Sequence, residues 1–115
     1  MYHLLDLLRK SKVVSHLDII TFVTEEDVQI LSVRAGLVDN STLFVRELIT
    51  LSESKYSYHW QTKNRKLICR WDNVLHHPHL TTSPHHKHEG AKENIMASQE
   101  ITLEAVLSII EKQIL

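Results

Sequence analysis

Residues able to move protons and hold phosphate crowd one stretch of this sequence. Between His59 and His88 stand seven of the nine histidines (His59, His76, His77, His79, His85, His86 and His88), with Arg70, Asp72, Asn73 and Lys87 among them. Histidine titrates near pH 6.5, so one imidazole can accept a proton while another donates one at neutral pH. Arginine presents a fork of donors that matches a phosphate, and lysine adds a point charge. Cleavage of an RNA phosphodiester without a metal needs these groups: a base for the 2′-hydroxyl, an acid for the leaving 5′-oxygen, and cations for the transition state. His59, Arg70, Asp72, His86 and His88 contain them all, with Arg70 and Lys87 as phosphate contacts. The plain alternative is that His59 and Arg70 form a cross-strand surface pair and Asp72-Asn73 caps a strand end.

A second chemistry open to the same residues is metal binding. His86 and His88 are spaced i, i+2, so on an extended strand both rings point the same way. His76, His77, His79 and Asp72 supply further nitrogen and oxygen ligands of the kind zinc takes. None of these spacings forms a known zinc signature, such as a helical His pair with an intervening Glu. The expectation is therefore no cofactor, with zinc as the alternative. Glycine-rich phosphate loops, a dinucleotide fingerprint and a serine nucleophile elbow are all missing. Cys69 is expected to face the core and not to act as a nucleophile.

These side chains need elements to hold them. Asn64-Arg65 between Trp60 and Cys69 suggests a two-residue hairpin turn. That register sets Trp60 opposite Cys69, Tyr58 opposite Trp71 and His59 opposite Arg70. Strict alternation then separates an aromatic core face from a second face carrying His59, Arg70 and, at the strand end, Asp72. If the preceding hairpin pairs Leu48 with Tyr58, Glu47 joins that second face. Upstream, Val13–Val23, Val28–Val38 and Thr42–Leu51 read as strands, with Leu31, Val33, Ala35 and Leu37 alternating onto one side. Residues 1–10 suggest a short helix or arm. Thr102 is a good N-cap, and Leu103, Val106, Leu107, Ile110 and Ile114 form one apolar stripe on a closing helix, 102–115. The expected fold is a single α+β domain: an antiparallel sheet of four to five strands over 13–73, a histidine-rich loop over 74–98, and the C-terminal helix packed on the aromatic face. A long irregular loop in a compact domain is often functional, and this one contains both prolines.

Composition sets the outer limits. A chain of 115 residues builds one hydrophobic core. No apolar run reaches the roughly 20 residues of a membrane span, and the start, with Asp6 inside its leucines, lacks the order of a secretory signal. One cysteine permits no internal disulfide, so a reducing cytoplasm is the expected setting. The total charge of −1 hides a segregation: Lys55 to Lys92 holds seven basic residues against two acids, a net +5 that leaves −6 elsewhere. Such a cationic segment suits phosphate groups or an acidic partner, although a solvated hairpin face also explains it.

The runs Tyr56-Ser57-Tyr58-His59-Trp60-Gln61, Arg70-Trp71-Asp72-Asn73, His76-His77-Pro78 and Pro84-His85-His86-Lys87-His88 resemble the TumE-like toxin family of prokaryotic toxin–antitoxin systems. The resemblance is carried mainly by Tyr56 to His88. It implies an Asp-Asn pair followed by a His-x-His pair at Asp72, Asn73, His86 and His88. It further implies growth inhibition neutralised by a partner, typically a helix-turn-helix antitoxin encoded beside the toxin. Nuclease action on RNA is the expectation by analogy. A non-enzymatic, histidine-rich metal- or protein-binding module is the alternative.

Overall fold

The computed structural model describes residues 1–75 and 77–115. The chain runs α1 (Tyr2–Lys10), β1 (Val14–Thr24), β2 (Val28–Leu37), β3 (Thr42–Thr50), β4 (Ser54–Gln61), β5 (Leu67–Asp72), β6 (His86–Glu89), β7 (Ile95–Ala97) and α2 (Leu103–Ile114). All seven strands form one antiparallel meander in the order β1 to β7. Both helices cover one face of it. Leu4, Leu5 and Leu8 of α1 and Leu103, Val106, Leu107 and Ile110 of α2 share a buried cluster with Leu31, Val33, Ala35, Leu43, Val45, Tyr58, Trp60, Cys69 and Trp71. The alternation in β2, the aromatic β4–β5 face and the stripe of α2 thus meet in one core. The side chain of Thr102 accepts from Ala105 N–H at 3.2 Å and caps α2. Among the described residues no helix is long and apolar enough to cross a membrane.

Four features depart from expectation. The sheet has seven strands, not four to five, because residues 74–98 contain β6 and β7 as well as a loop. These two strands are only four and three residues long, and their sequences, His-Lys-His-Glu and Ile-Met-Ala, are too short to show apolar alternation. They are strands because β5 offers an unpaired edge: Asp72 pairs with His86 and Arg70 with His88.

The β4–β5 turn is also different. Thr62 and Lys66 close it, with Thr62 N–H donating to Lys66 O at 2.8 Å and Arg65 at φ 65°. That makes a three-residue loop ending in a left-handed residue. A register shift between Trp60 and Gln61, opposite Ile68, absorbs the extra residue. The outer register is therefore the expected one, with Trp60 opposite Cys69, Tyr58 opposite Trp71 and His59 opposite Arg70.

Two charged residues considered for the site lie on the helix side of the sheet, away from the histidines. The β3–β4 turn is tight, with Thr50 N–H bonded to Glu53 O, so Val45 faces Tyr58 and Leu48 faces Lys55. A pairing of Leu48 with Tyr58, the condition for Glu47 to join the second face, is off by three residues, an odd number, which exchanges the faces. Glu47 consequently points to the helix side, where Tyr58 donates its hydroxyl to Glu47 at 2.8 Å. Lys87 likewise lies opposite Trp71 and pairs with Glu89 at 3.2 Å, so it does not face the histidines as a phosphate contact.

Candidate active site

The face without helices holds the chemistry. Strand parity puts His59 on β4, Arg70 and Asp72 on β5, and His86 and His88 on β6 on this one side, and the registers bring them into adjacent positions. They line a cleft of about 520 Å³ with His77, Val74, Leu67, Lys92 and Ile95. Asp72 is its centre. One carboxylate oxygen lies 2.9 Å from His86 Nε2 and accepts from Val74 N–H at 3.0 Å. The other accepts from Arg70 Nε at 3.1 Å and lies 3.8 Å from His88 Nε2. A carboxylate only 3 % exposed needs such contacts, since a buried polar group left without partners is costly.

The two histidines of β6 differ in their surroundings. His86 is 2 % exposed, with Nδ1 3.0 Å from Pro84 O and Nε2 against Asp72, so both nitrogens face acceptors. Both ring nitrogens are thereby engaged. His88 donates from Nδ1 to Lys92 O at 2.7 Å, which directs Nε2 towards the cleft. Its side chain is 12 % exposed and can be reached from solution. The rings of His86 and His88 are 5.1 Å apart, and His77 packs 4.8 Å from the first and 6.0 Å from the second.

His59 is held at both nitrogens, accepting from Arg70 Nη1 at 3.2 Å and lying 3.1 Å from Gln61 Oε1. Burial, and then the neighbouring Arg70 charge, push its pKa below the ordinary histidine value. It is thus a neutral ring that steadies the guanidinium between itself and Asp72. Asn73 lies outside the cleft. Its side chain accepts from Tyr56 N–H at 2.9 Å and donates to Ser54 O at 2.8 Å, clamping the start of β4.

Of the expected metal ligands, His77, His86 and His88 come together, with their ligand atoms all within 4.8 Å of one another. His79 is exposed, with its ring 6.0 Å from that of His77, and among the described residues it does not join this group. The expectation for His76 lies outside the described residues. Cys69 is buried on the helix side, and burial pushes its thiol up to about 11, so it is no nucleophile.

This face, with its Asp72, His86 and His88, belongs to a stretch that one family model covers almost end to end: Toxin TumE matches residues 4–114. The chain belongs to the TumE toxin family. Membership of a toxin family implies an antitoxin partner. No curated protein matches the chain, and no solved structure does.

Four residues lining this toxin's cleft, Leu67, Val74, Lys92 and Ile95, were not expected there, and two of them fix site side chains through the backbone. Lys92 follows the turn at Gly90, and its carbonyl fixes His88. Val74 contributes only a backbone N–H to Asp72. A carbonyl and an amide leave no mark in the residue type, so only the fold could reveal them.

Proposed function

We propose that this toxin cleaves RNA by metal-independent attack of a ribose 2′-hydroxyl on the adjacent phosphate. The observation that carries the reading is the convergence of two imidazoles and one guanidinium on the buried Asp72 carboxylate, at the floor of an open cleft. His88 Nε2 takes the 2′-hydroxyl proton, its other nitrogen being fixed by Lys92 O. The 2′-oxygen bonds phosphorus, the bond to the 5′-oxygen breaks, and that oxygen is protonated by His77 on the cleft wall. Arg70 balances the phosphorane charge. His86 is too buried to touch substrate; with Asp72 it positions His88 and Arg70. The products are a 2′,3′-cyclic phosphate and a 5′-hydroxyl. The partner is a helix-turn-helix antitoxin that neutralises this activity, and the setting is the cytoplasm. RNA incubated with purified toxin in EDTA should acquire cyclic-phosphate ends, and His88→Ala should remove them. Intact RNA under all conditions would overturn the nuclease reading.

One observation favours a second reading, a zinc centre. His86 and His88 both donate Nδ1–H to a backbone carbonyl and present Nε2 inward, as metal-bound histidines do. With His77 and Asp72 they supply three nitrogens and a carboxylate oxygen. Elemental analysis of untagged protein, purified without metal resin, separates the two. Substoichiometric metal supports proton transfer by the histidines. One tightly held ion per chain, lost in His88→Ala, makes the cluster a metal site.

A further inference from the structure

The sheet registers place one row of side chains straight across the open face. Arg34 on β2 lies opposite Phe44 on β3, Phe44 opposite His59 on β4, His59 opposite Arg70 on β5, and Arg70 opposite His88 on β6. At about 4.8 Å between neighbouring strands, the row spans about 19 Å and ends at the cleft. Phe44 is half-buried and stands edge-on to His59, with centroids 6.1 Å apart. Arg46, in the next row between Ser32 and Ser57, is exposed, as are Arg34 and Lys55. Among the described residues neither Arg34 nor Arg46 is in an ion pair. Within β2–β5 the only acid on this face is Asp72, buried and already engaged. Shallow depressions along Arg46, Phe44, Ser57 and Lys55 run into the cleft through His59 and Arg70. At the far end Asp18 lies opposite Arg34 and sets a negative limit.

We infer that this row is a binding track for single-stranded RNA, with a base stacked on Phe44, phosphates on Arg34 and Arg46, and the strand led over Arg70 to His88. It rests on the RNA reading above for the nature of the ligand. A cationic face alone suits any polyanion; an aromatic ring between cations selects unpaired bases, because every base has a face to stack and a duplex hides it. The sheet is open for this because both helices pack on its other side.

The test uses full-length His88→Ala toxin, which holds RNA without cutting it, and a fluorescein-labelled single-stranded 12-mer followed by anisotropy. Added Phe44→Ala should weaken binding by roughly 5–100-fold, and Phe44→Trp should restore it. Arg34→Ala and Arg46→Ala should each lower the slope of log affinity against log salt by about 0.7. Lys112→Ala, exposed on α2 behind the sheet, should change neither. Affinity unaltered by Phe44→Ala and Arg34→Ala, equal affinity for a duplex, or loss of antitoxin binding alone would overturn the track. Cleavage of a diribonucleotide, too short to reach Phe44, is measured alongside with otherwise unmutated toxin. Track-dependent binding without any cyclic phosphate supports the track and refutes the nuclease chemistry; diribonucleotide cleavage with track-independent binding does the reverse.

Discussion

Replacing His86 and His88 separately by alanine should give two different proteins, although both changes look alike in sequence. On an exposed loop each would cost within about 0.5 kcal/mol. Both residues lie instead on β6, and His86 is buried against an equally buried carboxylate. His86→Ala leaves Pro84 O without its donor, takes one partner from Asp72 and opens a ring-sized void. Leaving a buried polar group without its partner costs about 1–3 kcal/mol. Asp72 keeps Arg70 at 3.1 Å and Val74 N–H at 3.0 Å, so a loss of about 2–3 kcal/mol is expected. For a chain of this size that corresponds to a fall in Tm of roughly 6–18 °C. His88→Ala gives up one bond to Lys92 O from a partly exposed ring, about 1 kcal/mol and roughly 3–6 °C. Melting curves followed by circular dichroism measure both, and induced expression with matched protein levels measures growth arrest. Loss of toxicity in His86→Ala is then partly a folding effect, whereas in His88→Ala it reports chemistry, since a missing base costs roughly 10²–10⁴-fold in rate. A His86→Ala melt that coincides with the parent protein's would refute the buried role of His86, and growth arrest by folded His88→Ala would refute the role of His88 as base.

Three other outcomes follow from the same contacts. Glu47 has its pKa raised by burial, against the opposing pull of the Tyr58 hydroxyl, so the fold prefers its protonated form. Its contribution is present below the unfolded carboxyl pKa and lost as pH rises through the raised one; Glu47→Gln should therefore raise Tm at pH 7–8, with the gain vanishing near pH 4. Asn73→Ala should cost about 1–2 kcal/mol in urea titrations by freeing two backbone groups of β4, without changing the cleavage rate of the folded protein. Burial and then Arg70 lower the pKa of His59, so stability drawn from its neutral form is lost as pH falls below the free histidine value; Arg70→Met should shift the His59 NMR titration upward, and an unmoved titration would show the pair is not electrostatically coupled.

Features that depend on short spacing were legible in the sequence. Leu31, Val33, Ala35 and Leu37 alternate, the stripe of α2 repeats at helical spacing, and both patterns mark the core directly. The β4–β5 register was also within reach, because the three-residue turn and the bulge at Ile68 cancel beyond Trp60. That register alone puts His59, Arg70 and Asp72 on one side. Glu47 was not legible, since its side depends on whether the β3–β4 turn is Leu51-Ser52 or the three-residue Ser52-Glu53-Ser54. Nor were β6 and β7, whose pairing comes from the β5 edge and not from their own composition. Arg34 and Phe44 look ordinary in isolation; only four successive registers align them with His88.

That dependence has a consequence for how the site is built. His59, Arg70 and Asp72 sit on central strands anchored by Tyr58, Trp60 and Trp71 behind them. His86 and His88 sit on a four-residue strand whose own anchors are few: its pairing with β5, its pairing with β7, and the Asp72 contacts. The carboxylate therefore holds β6 to the sheet and orients the imidazoles at the same time. Substitution of Asp72 by Asn would test this double duty, because it keeps the size but removes the charge that His86 and Arg70 face. Hydrogen exchange should then speed up in β6 and β7 while β2–β4 stay protected, since local opening follows the elements with fewest buried contacts. Uniform acceleration across the whole sheet would instead place Asp72 among the residues that hold the core, and would separate its structural role from its place beside His88.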